Sequence, residues 1–251
     1  MSNQYRYQDN LLEKSPILMN SEYKKSKVEK MLAVLSVAGV LDKSGALAVD
    51  IGCSVGFFCK ALAPWFDQVH GLDIDEGAIS RARDGAPSNV NFRVADSMNL
   101  PFGDGAVDLV VCNHVYEHVP DAARLFDEIY RVLKPGAVCY LGAASRLTLV
   151  EPHYHLPFLS WLPKFIAHRY MRIFGKGTEY YENLRTYWGI RRLISRFELE
   201  DYTLKIVESP DKYCARDLIP QGGIVSKIPM FIWRWSYPLL PSYIFVLKKP
   251  G

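Results

Sequence analysis

The stretch Val49-Asp50-Ile51-Gly52-Cys53-Ser54-Val55-Gly56-Phe57-Phe58 holds the densest chemical information in the chain. An apolar run closes on it, two glycines four positions apart follow, and a second apolar run begins. Glycine permits a tight turn and a close backbone approach to a ligand, and a helix starting just after it presents unpaired N–H groups. Asp73 stands 21 positions beyond Gly52, at the end of another apolar run. A carboxylate there can accept hydrogen bonds from both hydroxyls of a ribose lying across a sheet edge. Asp75 precedes a helical pattern and reads as its cap. The dinucleotide spacing G-x-G-x-x-G is not met, because Ser54 and Phe57 stand where its second and third glycines belong. A nicotinamide oxidoreductase is therefore disfavoured.

Two other groups could move a proton or hold a cation. His114, Glu117 and His118 share a face at i, i+3 and i+4 if their segment is helical. His153 and His155 flank Tyr154 in EPHYHLP, directly after a fifth apolar run, where an open α/β sheet presents groups to its crevice.

These residues need a scaffold, and the apolar periodicity supplies one. Short apolar runs at 46–51, 68–74, 90–94, 106–112 and 138–142 read as strands. Helical patterns at 57–66, 76–83 and 120–133 fall between them. The alternation predicts a doubly wound α/β core with a mostly parallel sheet and helices on both faces. Runs at 199–207 and 242–248 are expected to bring it to seven strands. An amphipathic helix over 22–41 precedes the core, so residues 1–45 read as a helical segment or lid and 46–251 as the main domain.

Residues 146–196 break the rhythm and read as a basic, aromatic cap insertion after strand five. From Glu151 to Arg196 there are eight Lys and Arg against three acids, interleaved with ten aromatic residues. That segment suits a substrate cover or a helical extension with a small core of its own. The whole chain, with 30 basic and 27 acidic residues, is too mildly charged for a general nucleic-acid footprint, and no nucleic-acid module accompanies the basic patch. The five cysteines form no C-x-x-C pair, so buried free thiols are expected and neither a disulfide framework nor a zinc site. The N-terminus lacks an apolar core of signal type, and Arg234 with three prolines interrupts the apolar stretch 228–247. A cytoplasmic protein with possible peripheral membrane contact is the expectation.

Taken together, the motifs resemble the class I S-adenosylmethionine-dependent methyltransferases. VDIGCSVGFF is similar to the first motif, HGLDID to the second, ADSMNLPF to the third, VDLVVCNHVYEHVPD to the fourth strand and its loop, and LKPGA to the turn before strand five. Ser54 and Ala137 depart from glycines common in that pattern. The resemblance implies a Rossmann-like fold and S-adenosyl-L-methionine as cofactor. It places Asp50, Gly52, Cys53 and Gly56 on the methionine side, Asp73 and Ile74 at the ribose, Asp96, Ser97 and Met98 at the adenine, and Asn113 near the carboxylate or sulfonium.

It further implies methyl transfer to a small, amphiphilic or lipid-linked acceptor, with oxygen weakly favoured. The alternative is a catalytically inactive cofactor-binding regulator or partner subunit. His153, His155 and His118 are the candidate proton acceptors, and Tyr5, Tyr7 and Tyr23 could close over the cofactor. The HVYEH segment loosely resembles an E-x-x-E-H metal cluster of some quinone-ring O-methyltransferases, yet loop shaping is the simpler role and no metal is expected.

Overall fold

The structure is a computed structural model and describes residues 21–41 and 45–251, without the side chains of 21–24. Tyr5, Tyr7 and the side chain of Tyr23 lie outside the described residues.

The five apolar runs become the strands β1 (Leu47–Ile51), β2 (Gln68–Asp73), β3 (Val90–Val94), β4 (Val107–Asn113) and β5 (Leu133–Ala144), all parallel. Two late strands, β6 (Glu198–Asp201) and β7 (Ser242–Lys248), complete a seven-stranded sheet in the order β3-β2-β1-β4-β5-β7-β6. Only β7 runs against its neighbours. The strand order reverses between β1 and β4, so the loops leaving their carboxyl ends part there and open a crevice.

Because side chains alternate across a strand, each run feeds two cores. Val49 and Ile51 of β1, Val110 and Cys112 of β4, and Cys139 and Leu141 of β5 face one layer. Ala48, Leu109, Val111 and Tyr140 face the other. The first layer is covered by α4 (Ala122–Val132) and α6 (Tyr187–Leu193). The second is covered by α1 (Ser21–Val37), α2 (Phe57–Leu62), α3 (Glu76–Ala82) and α7 (Thr203–Glu208). Burial is what holds α4 in place: Leu125, Phe126, Ile129 and Val132 recur at helical spacing and are all inaccessible or nearly so. Each such side chain contributes roughly 1.5–3 kcal/mol. Asp121 starts the helix by accepting hydrogen bonds from the N–H groups of Ala123 and Arg124, at 3.0 and 3.1 Å.

The structure departs from the sequence reading at three places. Residues 199–207 do not form one strand: β6 stops at Asp201, whose carboxylate accepts from the Thr203 N–H at 2.9 Å, and the chain turns into α7. The alternating pattern of LEDYTLKIV mimics a strand, but Tyr202 and Ile206, four apart, are its buried apolar pair. Residues 113–118 are not helical: β4 ends at Asn113 and a turn follows, with His114 in the left-handed region at φ 57°. Finally, LKPG belongs to β5 as an irregularity. Leu133 pairs with Val107, the register then shifts, and Val138 pairs with Leu109.

Residues 146–186 carry a small core of their own, in which Leu156, Leu159 and Tyr180 pack with Ala167 and Met171 of α5 (Lys164–Ile173). Helix α6, by contrast, packs Ile190 onto the main sheet. The last short helix, α8 (Met230–Trp235), precedes β7. No helix among the described residues is long and apolar enough to cross a membrane. Cys53, Cys59, Cys112 and Cys139 are buried free thiols, and Cys214 is exposed.

Candidate active site

The turn after β1 is shaped by three left-handed residues, Gly52 (φ 69°), Ser54 (φ 50°) and Gly56 (φ 80°). The two glycines have separate steric reasons. A Cβ on Gly52 would lie 2.6 Å from Cγ2 of Val115, in the loop after β4, so the glycine lets the two loops bordering the crevice meet. A Cβ on Gly56 would fall 2.4 Å from the Phe92 ring of β3, so this glycine seats the start of α2 against the sheet. Asp50 is buried beneath the turn, where the Cys59 thiol donates to its Oδ2 at 3.4 Å. Burial pushes the Cys59 thiol well up, so it remains protonated and can donate. Cys53 is buried beside Gly52, and its N–H donates to the Leu72 carbonyl at 3.0 Å.

Asp73 ties this turn to the next loop. Its Oδ2 accepts from the Ser54 N–H at 2.7 Å and its Oδ1 from the Asp75 N–H at 3.0 Å. The side chain is half-buried, and burial raises its pKa even though these backbone donors pull it down. A carboxylate oxygen accepts more than one hydrogen bond, so Asp73, on which the Ile74 N–H also draws, retains acceptor capacity for a vicinal diol. Asp75 is the cap of α3, accepting from the Ala78 N–H at 3.1 Å. Ile74 is half-buried between the two aspartates.

At the end of β3, Asp96 accepts from the Met98 N–H at 2.8 Å and folds Asp96, Ser97 and Met98 into a half-buried turn. Asn113, the last residue of β4, lies over Gly142 of β5, where a Cβ would come 2.1 Å from the Asn113 Oδ1. The turn after β1, Asp73, the Asp96 turn and Asn113 thus follow four neighbouring strands at their carboxyl ends. This donor and acceptor set fits S-adenosylmethionine: an acceptor-only carboxylate for a diol, a glycine turn for a close backbone approach, and an amide at the opposite wall.

Beside this crevice the loop after β4 and the inserted segment converge. Glu117 is inaccessible: its Oε1 meets His114 Nδ1 at 3.3 Å, and its buried Oε2 has no hydrogen-bond partner. The His118 and His153 rings meet edge to face with centroids 4.9 Å apart. Ligand-capable atoms of Glu117, His118 and His153 all lie within 4.8 Å of one another. Burial brings the His118 imidazole down to about 4. Burial also opposes charge on His153, but the Glu151 carboxylate outweighs it and raises that pKa. Glu151 is inaccessible and accepts three times, from His153 Nδ1 and N–H at 2.7 Å each and from the Tyr154 N–H at 2.8 Å. His155, left-handed and exposed on the same loop, is not part of the cluster.

The supporting residues were not legible beforehand. Glu151 stood in plain view two positions before His153, but only the fold shows that the acid is buried and turned toward the ring. Gly142 gave no motif, since its role is to leave room for a side chain from the neighbouring strand. Tyr116 is the third omission: its hydroxyl donates to the Ala144 carbonyl at 2.5 Å and accepts from the Arg185 N–H at 3.1 Å.

Residues 49–141 match the family described as a methyltransferase domain. The chain is 31% identical over 150 residues to a demethylmenaquinone methyltransferase of Staphylococcus epidermidis, covering 57% of this chain and 60% of that protein. It is 34% identical over 105 residues to a probable S-adenosylmethionine-dependent methyltransferase of Mycolicibacterium smegmatis, covering 42% of this chain and 40% of the relative. The match thus spans less than two thirds of the length of these curated relatives. A solved S-adenosylmethionine-dependent methyltransferase from Mesorhizobium loti shares the fold, with a TM-score of 0.55 at 19% identity over 85% of this chain and 95% of that one. The glycine turn, Asp73 and the Asp96 turn fall within the matched segment, so residues 49–141 are identified as a methyltransferase domain, similar in sequence to an S-adenosylmethionine-dependent relative.

Proposed function

We propose that the protein transfers the methyl group of S-adenosylmethionine to a small or amphiphilic acceptor, at an oxygen atom. The observation that carries the cofactor half is the Asp73 carboxylate, fixed by the Ser54 and Asp75 N–H groups at the carboxyl end of β2. When bound, S-adenosylmethionine supplies a methyl group already activated by its sulfonium. The protein's share is position. Gly52, Cys53 and Gly56 border the methionine side, Asp73 and Ile74 the ribose, Asp96, Ser97 and Met98 the adenine, and Asn113 the wall toward the acceptor. Holding two reactants in line lowers a barrier by roughly 7–11 kcal/mol, enough to make orientation the main contribution.

Oxygen is favoured by what stands beside Asn113. A hydroxyl acceptor must lose a proton, whereas a neutral amine attacks as it is. Glu117, His118 and His153, with Glu151 behind, form the group that engages such a hydroxyl. His155, outside that group, is assigned contact with the acceptor at the mouth.

The amphiphilic part of the reading rests on exposed aromatics near basic residues. Phe165 on α5 and Trp235 on α8 are 73% and 81% exposed, close in sequence to Arg169 and Arg234. Such residues suit a lipid-linked acceptor or contact with an anionic membrane surface. Calorimetry with S-adenosylmethionine and with NADH tests the cofactor, and a radiolabelled-methyl screen of lipid, metabolite, protein and RNA fractions tests the acceptor. Micromolar binding of the first ligand alone, with counts in lipids or metabolites, is the expected result. Counts in protein or RNA, or binding without turnover on any fraction, would overturn the acceptor reading.

A further inference from the structure

We infer that Glu117, His118 and His153 form a binding site for one divalent transition-metal ion, with Glu151 as its supporting carboxylate. The spacing of 114–118 had suggested a different trio on one helical face, but that segment is a turn, and the third ligand comes from the insert instead of from His114. Three independent features converge on a cation. Two imidazoles and one carboxylate present ligand atoms within 4.8 Å of one another. Metal–ligand bonds of about 2.0–2.2 Å set neighbouring ligand atoms roughly 3–4 Å apart, so a small side-chain closure completes the site.

The second feature is an unsatisfied oxygen. Glu117 is 0% exposed and its Oε2 has no hydrogen-bond partner. A carboxylate oxygen left so in a protein interior forgoes its solvation unless a charge or donor meets it. The acidic residues Glu151 and Glu182 are buried nearby, and Glu182 also has an unpartnered buried Oε2. Lys164 gives its hydrogen bonds to the backbone carbonyls of Tyr180 and Glu182.

The third feature is the support behind the ring. His153 Nδ1 meets the Glu151 carboxylate at 2.7 Å, which orients the ring and leaves Nε2 as the ligand atom. A carboxylate behind a ligating histidine is the usual way a protein fixes the tautomer and strengthens the metal bond. Two imidazoles with one carboxylate favour zinc, cobalt, iron or manganese over magnesium or calcium, which prefer oxygen donors throughout. Three protein ligands leave a coordination position open, where an acceptor oxygen or water binds. That use rests on the methyl-transfer reading above; the binding of the ion does not.

The test uses the full chain, stripped with a chelator and titrated with Zn²⁺, Co²⁺ and Mg²⁺ by calorimetry, with metal content measured by mass spectrometry. One equivalent of Zn²⁺ or Co²⁺ is expected, with at least tenfold weaker Mg²⁺, and the Co²⁺ form should show visible absorption of a low-coordinate site. His153→Ala and Glu117→Gln should each weaken Zn²⁺ at least tenfold, and Glu151→Gln about 10–100-fold. His70→Asn, at a histidine on β2 outside the cluster, should bind as the parent does. S-adenosylmethionine affinity and circular dichroism on the same preparations report that each variant is folded. Under a tenth of an equivalent of Zn²⁺ in the parent protein, or equal Zn²⁺ affinity in His153→Ala, overturns the site. Zn²⁺ binding without S-adenosylmethionine binding would instead refute the cofactor reading and leave the metal site standing.

Discussion

Substituting Gly56 by alanine isolates a steric debt that the structure localises to one ring. The residue sits at φ 80°, and an added Cβ would come 2.4 and 2.6 Å from Cζ and Cε1 of Phe92. The left-handed backbone alone costs about 1–2 kcal/mol for a non-glycine residue. Forcing a methyl group into the packed Phe92 site adds roughly 1–3 kcal/mol. A total of about 2–5 kcal/mol, at about 2–4 °C per kcal/mol for a chain of this size, lowers Tm by roughly 4–20 °C. Gly136→Ala is the control, because that glycine has φ 76° but nothing within 4 Å of the added Cβ, so it carries only the backbone part. Phe92→Leu should relieve the overlap, so in a double-mutant cycle the pair couples favourably by about 1–3 kcal/mol. The assay is urea denaturation of the four proteins and of the Gly136 control. Strictly additive losses for Gly56→Ala and Phe92→Leu, or a Gly136→Ala penalty as large as that of Gly56→Ala, would refute the reasoning.

Asp73→Asn removes a charged acceptor of two ribose hydroxyls, at roughly 1.5–3 kcal/mol each, so S-adenosylmethionine should bind at least about 10²-fold more weakly by calorimetry. Hydroxyl donors favour the ionised carboxylate, and burial raises the Asp73 pKa, so parent affinity should fall as pH drops toward it and the Asn variant should lack that decline. Tyr116→Phe strips the Arg185 N–H of its acceptor and should destabilise by about 1–3 kcal/mol in denaturant while raising KM for the acceptor more than for the cofactor. Lys30 is 5% exposed and meets Asp217 at 3.2 Å, so Asp217→Asn leaves a buried ammonium and should cost about 1–2 kcal/mol, discounted because Asp217 is partly exposed. Burial opposes the Asp217 charge, but Ser26 and Lys30 hold its pKa below the usual range. Its contribution is thus present above the ordinary carboxylate pKa and lost as pH falls through the lowered one, a decline that denaturation of the Asn variant should not show.

The strands and their order of appearance could be read from the sequence because each depends on a local pattern, and the structure brings the proposed cofactor-side residues to neighbouring strand ends. Buried parallel strands are short apolar runs, and Asp73 stands out by its place at a strand end, whereas Asp96 came only with the family resemblance. Asp75 as a cap follows the same logic and is what the structure has. The stretch 199–207 failed because a buried helix with neighbours four apart and a strand with alternate neighbours look alike over nine residues. The histidine cluster was legible only in part. His118 and His153 were visible as titratable groups near strand ends, but their meeting depends on how residues 146–186 fold back, which no local periodicity encodes. His114 was placed with Glu117 for the wrong reason, since they touch across a turn and not along a helix.

The Tyr116 hydroxyl, with its hold on both Ala144 and Arg185, has a consequence for how the inserted segment is carried by the sheet. Arg146 N–H also bonds the Arg185 carbonyl at 2.9 Å, and Asn183 N–H bonds the Glu117 carbonyl at 2.7 Å, so the segment leaves and rejoins the sheet at a single tied neck. What hangs beyond that knot is a pouch whose length can change without disturbing the parallel strands. Replacing residues 147–182 by a foreign segment that keeps these ties should therefore leave the sheet folded, which circular dichroism of such a chimaera checks.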